Sequence, residues 1–219
     1  MNSSLLQLLV LAGIAVFLIL KLRSVLGTRE GFEKPPVPAA EQRPRNKRPF
    51  EVIEGGPDRD IIDHVAEGSD AARALAAMKQ AEPSFSVSEF LKGARGAYEM
   101  ILMAFERGNL DQVRAFLGDE VENSFAEAIA TRAREGLTVE ANFVGLRELS
   151  LAEAEFDPAS KTGEITVRFT GELTSVVTNA AGDVVDGHPT TVKRQRDSWT
   201  FARRMGAKDP NWQLVATGE

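Results

Sequence analysis

Near Gly136 the spacing of apolar side chains changes from helical to alternating, and this switch restricts the fold more than any other feature. Upstream, Phe90, Ala94, Ala97, Tyr98, Ile101, Leu102 and Phe105 recur three and four apart, the period of a helix with one apolar face. Ser86-Val87-Ser88-Glu89 reads as a capping box and Gly108-Asn109 as a stop, so the spacing predicts a long helix over 88–107. A short helix with Leu110, Val113, Phe116 and Leu117 ends at Gly118, and a third with Val121, Phe125, Ala128 and Ile129 ends at Gly136. An Ala-rich helix with a thin apolar stripe runs from Asp70 to Gln80. Downstream, Val139, Ala141 and Phe143 alternate, followed by Leu149 and Leu151, then Ile165, Val167, Phe169 and Leu173, then Trp199, Phe201 and Arg203, and last Trp212, Leu214 and Ala216. Turns at Asp157-Pro158, Asn179–Asp183 and Asp209-Pro210-Asn211 separate these runs. Helices first and an antiparallel meander second predict an α+β fold. One sheet face packs on the long helix, leaving the other to water or a partner.

Charge divides the chain into three. Residues 1–20 carry no charged side chain; residues 21–50 hold eight Lys/Arg against three Glu; the remainder carries a surplus of eleven negative charges within a whole-chain net of −6. An acidic body argues against nucleic-acid binding, because a duplex repels it. The chain has no cysteine, which excludes disulfides and thiolate ligands, and two histidines, too few for a histidine metal cluster.

The neutral tip reads as a single transmembrane helix. Its apolar residues are Leu5, Leu6, Leu8, Leu9, Val10, Leu11, Ile14, Val16, Phe17, Leu18, Ile19 and Leu20, interrupted by Gln7. Such a run spans about 24 Å as a helix, and Lys21 and Arg23 can reach the headgroups beyond it. A signal peptide would start with charge and offer a small-residue cleavage site; this segment has neither. The basic residues all follow the span, so the positive-inside bias places the domain on the cytoplasmic side of the membrane. Residues 31–58 are rich in Pro and Gly and read as an extended linker. Arg43, Arg45, Lys47 and Arg48 suit contact with anionic headgroups or serve only as a solvated linker. The expected organisation is thus an anchor with basic flank over 1–24, a Pro-rich basic linker over 25–58, a helical entry segment over 59–84 and a domain over 85–219.

Catalytic chemistry is not expected. There is no Gly-rich phosphate loop, no His-Glu-x-x-His and no serine with a plausible base, so no catalytic, cofactor or metal residue is nominated. His188 reads as an exposed loop histidine and Tyr98 as a core residue with a satisfied hydroxyl. Tyr98, Phe105, Phe143, Phe169, Trp199, Phe201 and Trp212 are expected to line an apolar core or pocket. Trp199, Phe201, Trp212 and Leu214 would form one block against the helices. Arg194 and Arg196 share a strand face opposite Trp199 and Phe201, either solvated or reading an acidic partner.

The motifs together carry a family likeness. Phe90-Leu91-x-Gly93-Ala94-x-x-Ala97-Tyr98-x-Met100-Ile101-x-x-Ala104-Phe105, Gly182–Gly187, Trp199–Arg203 and Asp209-Pro210-Asn211-Trp212-Gln213-Leu214-Val215-Ala216-Thr217 resemble the TimA-type bacterial proteins. These are similar to the C-terminal domain of Tim44, the motor tether of the mitochondrial presequence translocase. The resemblance covers residues 85–217 most strongly. It implies a cone-like domain of the nuclear transport factor two type, with helices on a curved antiparallel sheet around an apolar pocket. It further implies a membrane-anchored, non-enzymatic adaptor at the bacterial inner membrane that recruits a protein partner, linked to protein translocation or membrane-protein biogenesis. The long region through which the mitochondrial tether engages the chaperone is replaced here by residues 5–20 and the stalk, so chaperone tethering is not carried over. The acidic stretch from Asp58 to Gln80 stands where the family places lipid-facing helices, which leaves the basic stalk as the lipid candidate. The other reading is a small-molecule-binding or isomerase-like protein using the pocket, with Tyr98 as its one nominated polar group.

Overall fold

The computed structural model describes residues 57–218. Four α-helices precede four strands: α1 (Arg59–Ile62), α2 (Asp70–Ala81), α3 (Val87–Glu106), α4 (Asp119–Arg134), β1 (Thr138–Asp157), β2 (Thr162–Thr178), β3 (Val184–Arg204) and β4 (Gln213–Gly218), with a 3-10 turn at Arg114–Phe116. Ser69 caps α2 by accepting the Ala72 N–H at 3.1 Å, and the buried Ala72, Leu75 and Met78 form its stripe. Ser86 caps α3 by accepting the Glu89 N–H. The carboxylate that meets the first N–H groups of α3 belongs to Asp60 of α1, at 2.8 Å from the Val87 nitrogen and 2.9 Å from that of Ser88. The acidic entry segment thus supplies a long-range cap at the positive end of the helix dipole. Helix α4 carries Asp119, Glu120 and Glu122 in its first turn and Arg132 and Arg134 in its last, the arrangement its dipole favours.

The strands form one antiparallel meander in the order β1-β2-β3-β4. Leu151, Ala154, Ile165, Val167, Phe169, Trp199, Phe201 and Leu214 are buried and pack with Leu75, Met78, Phe90, Tyr98 and Ile101 of the helices. Strand β1 changes its inward parity through three register shifts, after Phe143, Leu146 and Leu151. Each inserts a residue that flips the following side chains, so simple alternation along this strand does not extend past Phe143.

Two expectations are corrected here. The sheet is open and not curled into a cone: β4 is six residues long, pairs with β3 only over Ser198–Ala202, and nothing joins it to β1. Four strands are too few to close on themselves. Among the described residues, no helix is long and apolar enough to cross a membrane. The expected span Leu5–Leu20, with Lys21, Arg23, Arg43, Arg45, Lys47 and Arg48, lies outside the described residues. The single-pass architecture, its headgroup contacts and the inner-membrane localisation therefore have no structural support and form no part of the functional reading below.

A smaller correction concerns the stretch around His188, expected as a loop. It belongs to β3, where His188 is exposed and pairs with Ser175. Residues 189–191 bulge out of the ladder before Val192 resumes it opposite Thr174. Gly187 has φ +77°, and a Cβ there would lie 2.1 Å from the Ser175 carbonyl oxygen, so only glycine lets the two backbones meet.

Candidate docking cleft

Helix α3 presents small residues along one side. Gly93, Ala94 and Ala97 leave a hollow that Phe90 and Phe201 floor, and that Phe116, Pro210 and Trp212 wall. The cleft holds about 260 Å³, and Glu89 at its edge is the sole ionisable lining residue. A Cβ at Gly93 would meet nothing within 4 Å, so the helix faces open space there.

Trp212 is fixed edge-on to Phe90, with ring centroids 4.7 Å apart, and tilted against Phe85 at 5.9 Å. The Arg203 guanidinium lies 5.3 Å from its ring centre. Arg203 is held by Glu82 at 2.7 Å, and Glu82 also accepts the Gly206 N–H at 2.7 Å. Burial pushes the Glu82 carboxyl up, but these hydrogen bonds outweigh it and hold it below the usual carboxylate range. The loop that carries Pro210 and Trp212 is thereby tied to the end of α2. On the other side, the Gly118 N–H donates to the Leu214 carbonyl at 2.8 Å, which joins β4 to the start of α4.

The seven expected core residues divide among three places. Phe201 and Trp212 belong to the cleft. Tyr98, Phe169 and Trp199 form an interior aromatic cluster edged by the half-buried Phe143: Tyr98 lies parallel to Phe169 at 4.4 Å, tilts on Trp199 at 4.8 Å and meets Phe143 edge-on at 6.1 Å. Phe105 points instead to α4, against Phe125 at 4.6 Å and beneath the Arg132 guanidinium at 4.5 Å. Arg194 and Arg196 are exposed on the outer sheet face.

The small-molecule or isomerase reading is corrected by the surroundings of Tyr98. Its side chain is fully buried, and its hydroxyl donates to Asp197 at 2.5 Å. Asp197 also accepts from the Gln195 amide at 2.9 Å. Burial first, and Asp197 second, push the phenol far above its ordinary pKa, so it keeps its proton. The Gly171 backbone closes the space behind it, where an added Cβ would sit 2.7 Å from the hydroxyl oxygen. Pair and packing make a sealed structural contact. A second, open hollow of about 610 Å³ lies by Glu106, Lys193 and Gln195. Of its charged groups, Lys193 pairs with Asp186 at 3.0 Å, Arg194 with Glu172 at 3.4 Å and Glu106 with Arg132 at 3.8 Å, whereas Arg196 enters no ion pair among the described residues.

Sequence reasoning missed Gly93 and Phe116 as lining and Asp60 and Asp197 as partners. The small-residue side of α3 was readable in the Gly93, Ala94, Ala97 spacing. Asp60 meets Ser86 and Asp197 meets Tyr98 across 26 and 99 residues of chain, and no local pattern marks either pairing.

The model of the Tim44-like domain matches residues 71–219. The human mitochondrial import inner membrane translocase subunit TIM44 is 22% identical over 159 residues, covering 71% of this chain and 35% of its own length. The rat protein of the same name is 23% identical over the same extent. The chain thus spans about a third of the length of these curated relatives. Among solved structures, the intermembrane space region of chloroplast protein ARC6 aligns with a TM-score of 0.41 and 12% identity, over 58% of this chain and 94% of that one. With the family model covering more than half of the chain, the protein belongs to the Tim44-like domain family.

Proposed function

We propose that residues 57–218 form a non-catalytic adaptor that captures a partner polypeptide by one large apolar side chain in the Phe90–Trp212 cleft. The carrying observation is the cleft itself: aromatic walls, small residues on one helix side, and a volume of about 260 Å³. That is below the usual range for small-molecule sites, about 300–1,000 Å³, and suits a single aromatic or aliphatic anchor. Family membership, the lack of cysteine and the absence, among the described residues, of a three-residue metal cluster are consistent with a non-enzymatic role. The mitochondrial relatives are named as translocase subunits, which supports a place in a protein-transport assembly. The motif resemblance set out above extends the proposal to the TimA-type bacterial branch.

Gly93→Leu tests this directly, because the new side chain enters open space and fills the cleft. Peptides carrying one Phe or Leu, and controls with Gln there, are titrated against the full-length chain while cleft fluorescence is followed in a Trp199→Phe background. The apolar peptides should alter Trp212 emission in the parent and leave Gly93→Leu unchanged, with both melting alike. Equal peptide binding by a folded Gly93→Leu chain would refute the cleft as the docking site.

A further inference from the structure

Strand β3 keeps an unused edge. Over Ser198–Ala202 its two sides are taken by β2 and β4, but residues 192–197 pair with β2 alone, and among the described residues no strand pairs with their second side. The register is regular from Val192 to Arg204, so side chains alternate there without a break. Gln195 and Asp197 turn inward, toward Tyr98; Arg194 and Arg196 turn outward and are exposed. Lys193, Arg194 and Arg196 thus set three cations within four residues of an otherwise acidic body. Partners within the chain leave these arginines under-used. Arg194 reaches a Glu172 oxygen at 3.4 Å that Arg147 already holds at 2.8 Å, and Arg196 enters no ion pair among the described residues. Beside this edge lies the hollow of about 610 Å³, with Leu173, Ser175, Gln195 and Glu106 in its lining.

We propose that this edge receives an extended segment of a partner protein in which two acidic residues flank a neutral one, added to β3 as an antiparallel strand. The backbone groups that residues 192–197 leave unpaired on this side supply the ladder. Neighbours on one face of a sheet recur every second residue, so acids two apart fall across from Arg194 and Arg196 together. The residue between them points the other way, across from Gln195 and toward the hollow. Glu106 and Asp197 lie on that inner side and repel an acid there, so the middle residue is neutral. On the outer face Thr170 stands behind Arg196 and Glu172 behind Arg194, so an arginine separates each incoming acid from the next strand. The three cations keep off a basic strand, and the charge that blunts this edge toward other strands selects the acidic one. A second copy does not fit. Its Glu153-Ala154-Glu155 has the pattern, but set antiparallel against Arg196 and Arg194 it would carry residues 147–151 opposite 198–202, where β4 already lies.

The test uses a heptapeptide with a glutamate-valine-glutamate core between threonines, titrated against the full-length chain by calorimetry, with amide hydrogen exchange followed in parallel. Controls carry the same residues with the glutamates adjacent, a glutamine-valine-glutamine core, or glutamate at all three core positions. The first peptide should bind and slow exchange over 192–197, and each control should bind about tenfold more weakly or worse. Salt of about 1 M, where the Debye length is about 3 Å, should weaken binding. Arg196→Glu should reduce affinity about tenfold or more, and the Arg194→Glu, Arg196→Glu double variant should prefer a lysine-valine-lysine core, with melting unchanged in both. The proposal is overturned if the adjacent-glutamate peptide binds equally, if exchange over 192–197 is unaffected, or if the charge-reversed variants keep the parent's preference. It is overturned as well if vesicles of anionic phospholipid protect 192–197 and the peptide does not, since the occupant would then be a membrane surface.

Discussion

Tyr98 shows how one side chain can look functional in sequence and be structural in place. It is the chain's single tyrosine, it sits on the apolar face of α3, and its hydroxyl finds Asp197, which follows it by 99 residues. Tyr98→Phe removes that donor and leaves a carboxylate with less compensation; a loss of about 1–3 kcal/mol is expected in urea unfolding. Gly171→Ala brings a methyl within 2.7 Å of the same hydroxyl oxygen and should also destabilise. Because the clash is with the oxygen, the double variant should lose less than the two single losses added together; strict additivity would refute the contact. Among the tryptophans, Trp199 is buried within the aromatic cluster, whereas Trp212 is half-buried on the cleft wall. Trp199→Ala should therefore cost about 3–5 kcal/mol, and Trp212→Ala clearly less, measured side by side in thermal melts. Equal losses would place Trp212 in the core.

At the level of elements, the start of α3 is capped by α1 as well as by its own Ser86. Asp60 accepts from the Val87 and Ser88 N–H groups and from the Ser86 hydroxyl at 3.1 Å, and Lys79 of α2 reaches it at 2.8 Å. Burial pushes the Asp60 carboxyl up, but Lys79, Ser88 and Val87 together hold it well below its ordinary range. A depressed folded pKa contributes stability that is complete above the unfolded value of about 4 and is lost as pH falls through the folded value. Asp60→Asn should therefore lower stability near neutrality by about 1 kcal/mol, as for a lost cap, and flatten the fall in stability below pH of about 4. A variant with the parent's acid limb would contradict this role. Strand β3 behaves as two strands in series. Residues 198–202 are paired on both sides, whereas 184–188 and 192–197 run along β2 alone and are split by the bulge at 189–191. That free edge is guarded by Pro189 in the bulge and by Lys193, Arg194 and Arg196, features that discourage strand addition. Amide hydrogen exchange should be faster over 184–192 than over 198–202, and the reverse order would dispute the pairing.

For the described domain as a whole, the cleft and the exposed arginines Arg194 and Arg196 lie on opposite sides of the sheet. The cleft opens among α3, the 3-10 turn and the β3–β4 loop, on the side of the helices; the face with Arg194 and Arg196 turns away from them. Because that face takes no part in the cleft, Arg196→Glu should leave both single-anchor peptide binding and the melting temperature nearly unchanged. Loss of peptide binding in a folded Arg196→Glu chain would mean that the two faces are not independent.

Much of the architecture was open to sequence reasoning because its causes are local. The helix starts at Ser69 and Ser86, the stop at Gly108, the change of period near Gly136 and the inward alternation of Ile165, Val167 and Phe169 all arise from neighbours a few residues apart. The tertiary structure decided what depends on distant segments meeting. Parity beyond Phe143 rests on bulges set by pairing with β2; the sheet stays open because β4 is short and joins only β3. The cleft exists only where Gly93 and Ala97 of one helix meet Phe116, Phe201 and Trp212 from three other places in the chain. Capping by Asp60 and the sealing of Tyr98 by Asp197 are long-range pairings whose residues carry no local mark. Short-range backbone preferences and periodicity are written along the chain, whereas concavity, burial and charge pairing are properties of surfaces that form only when the chain has folded.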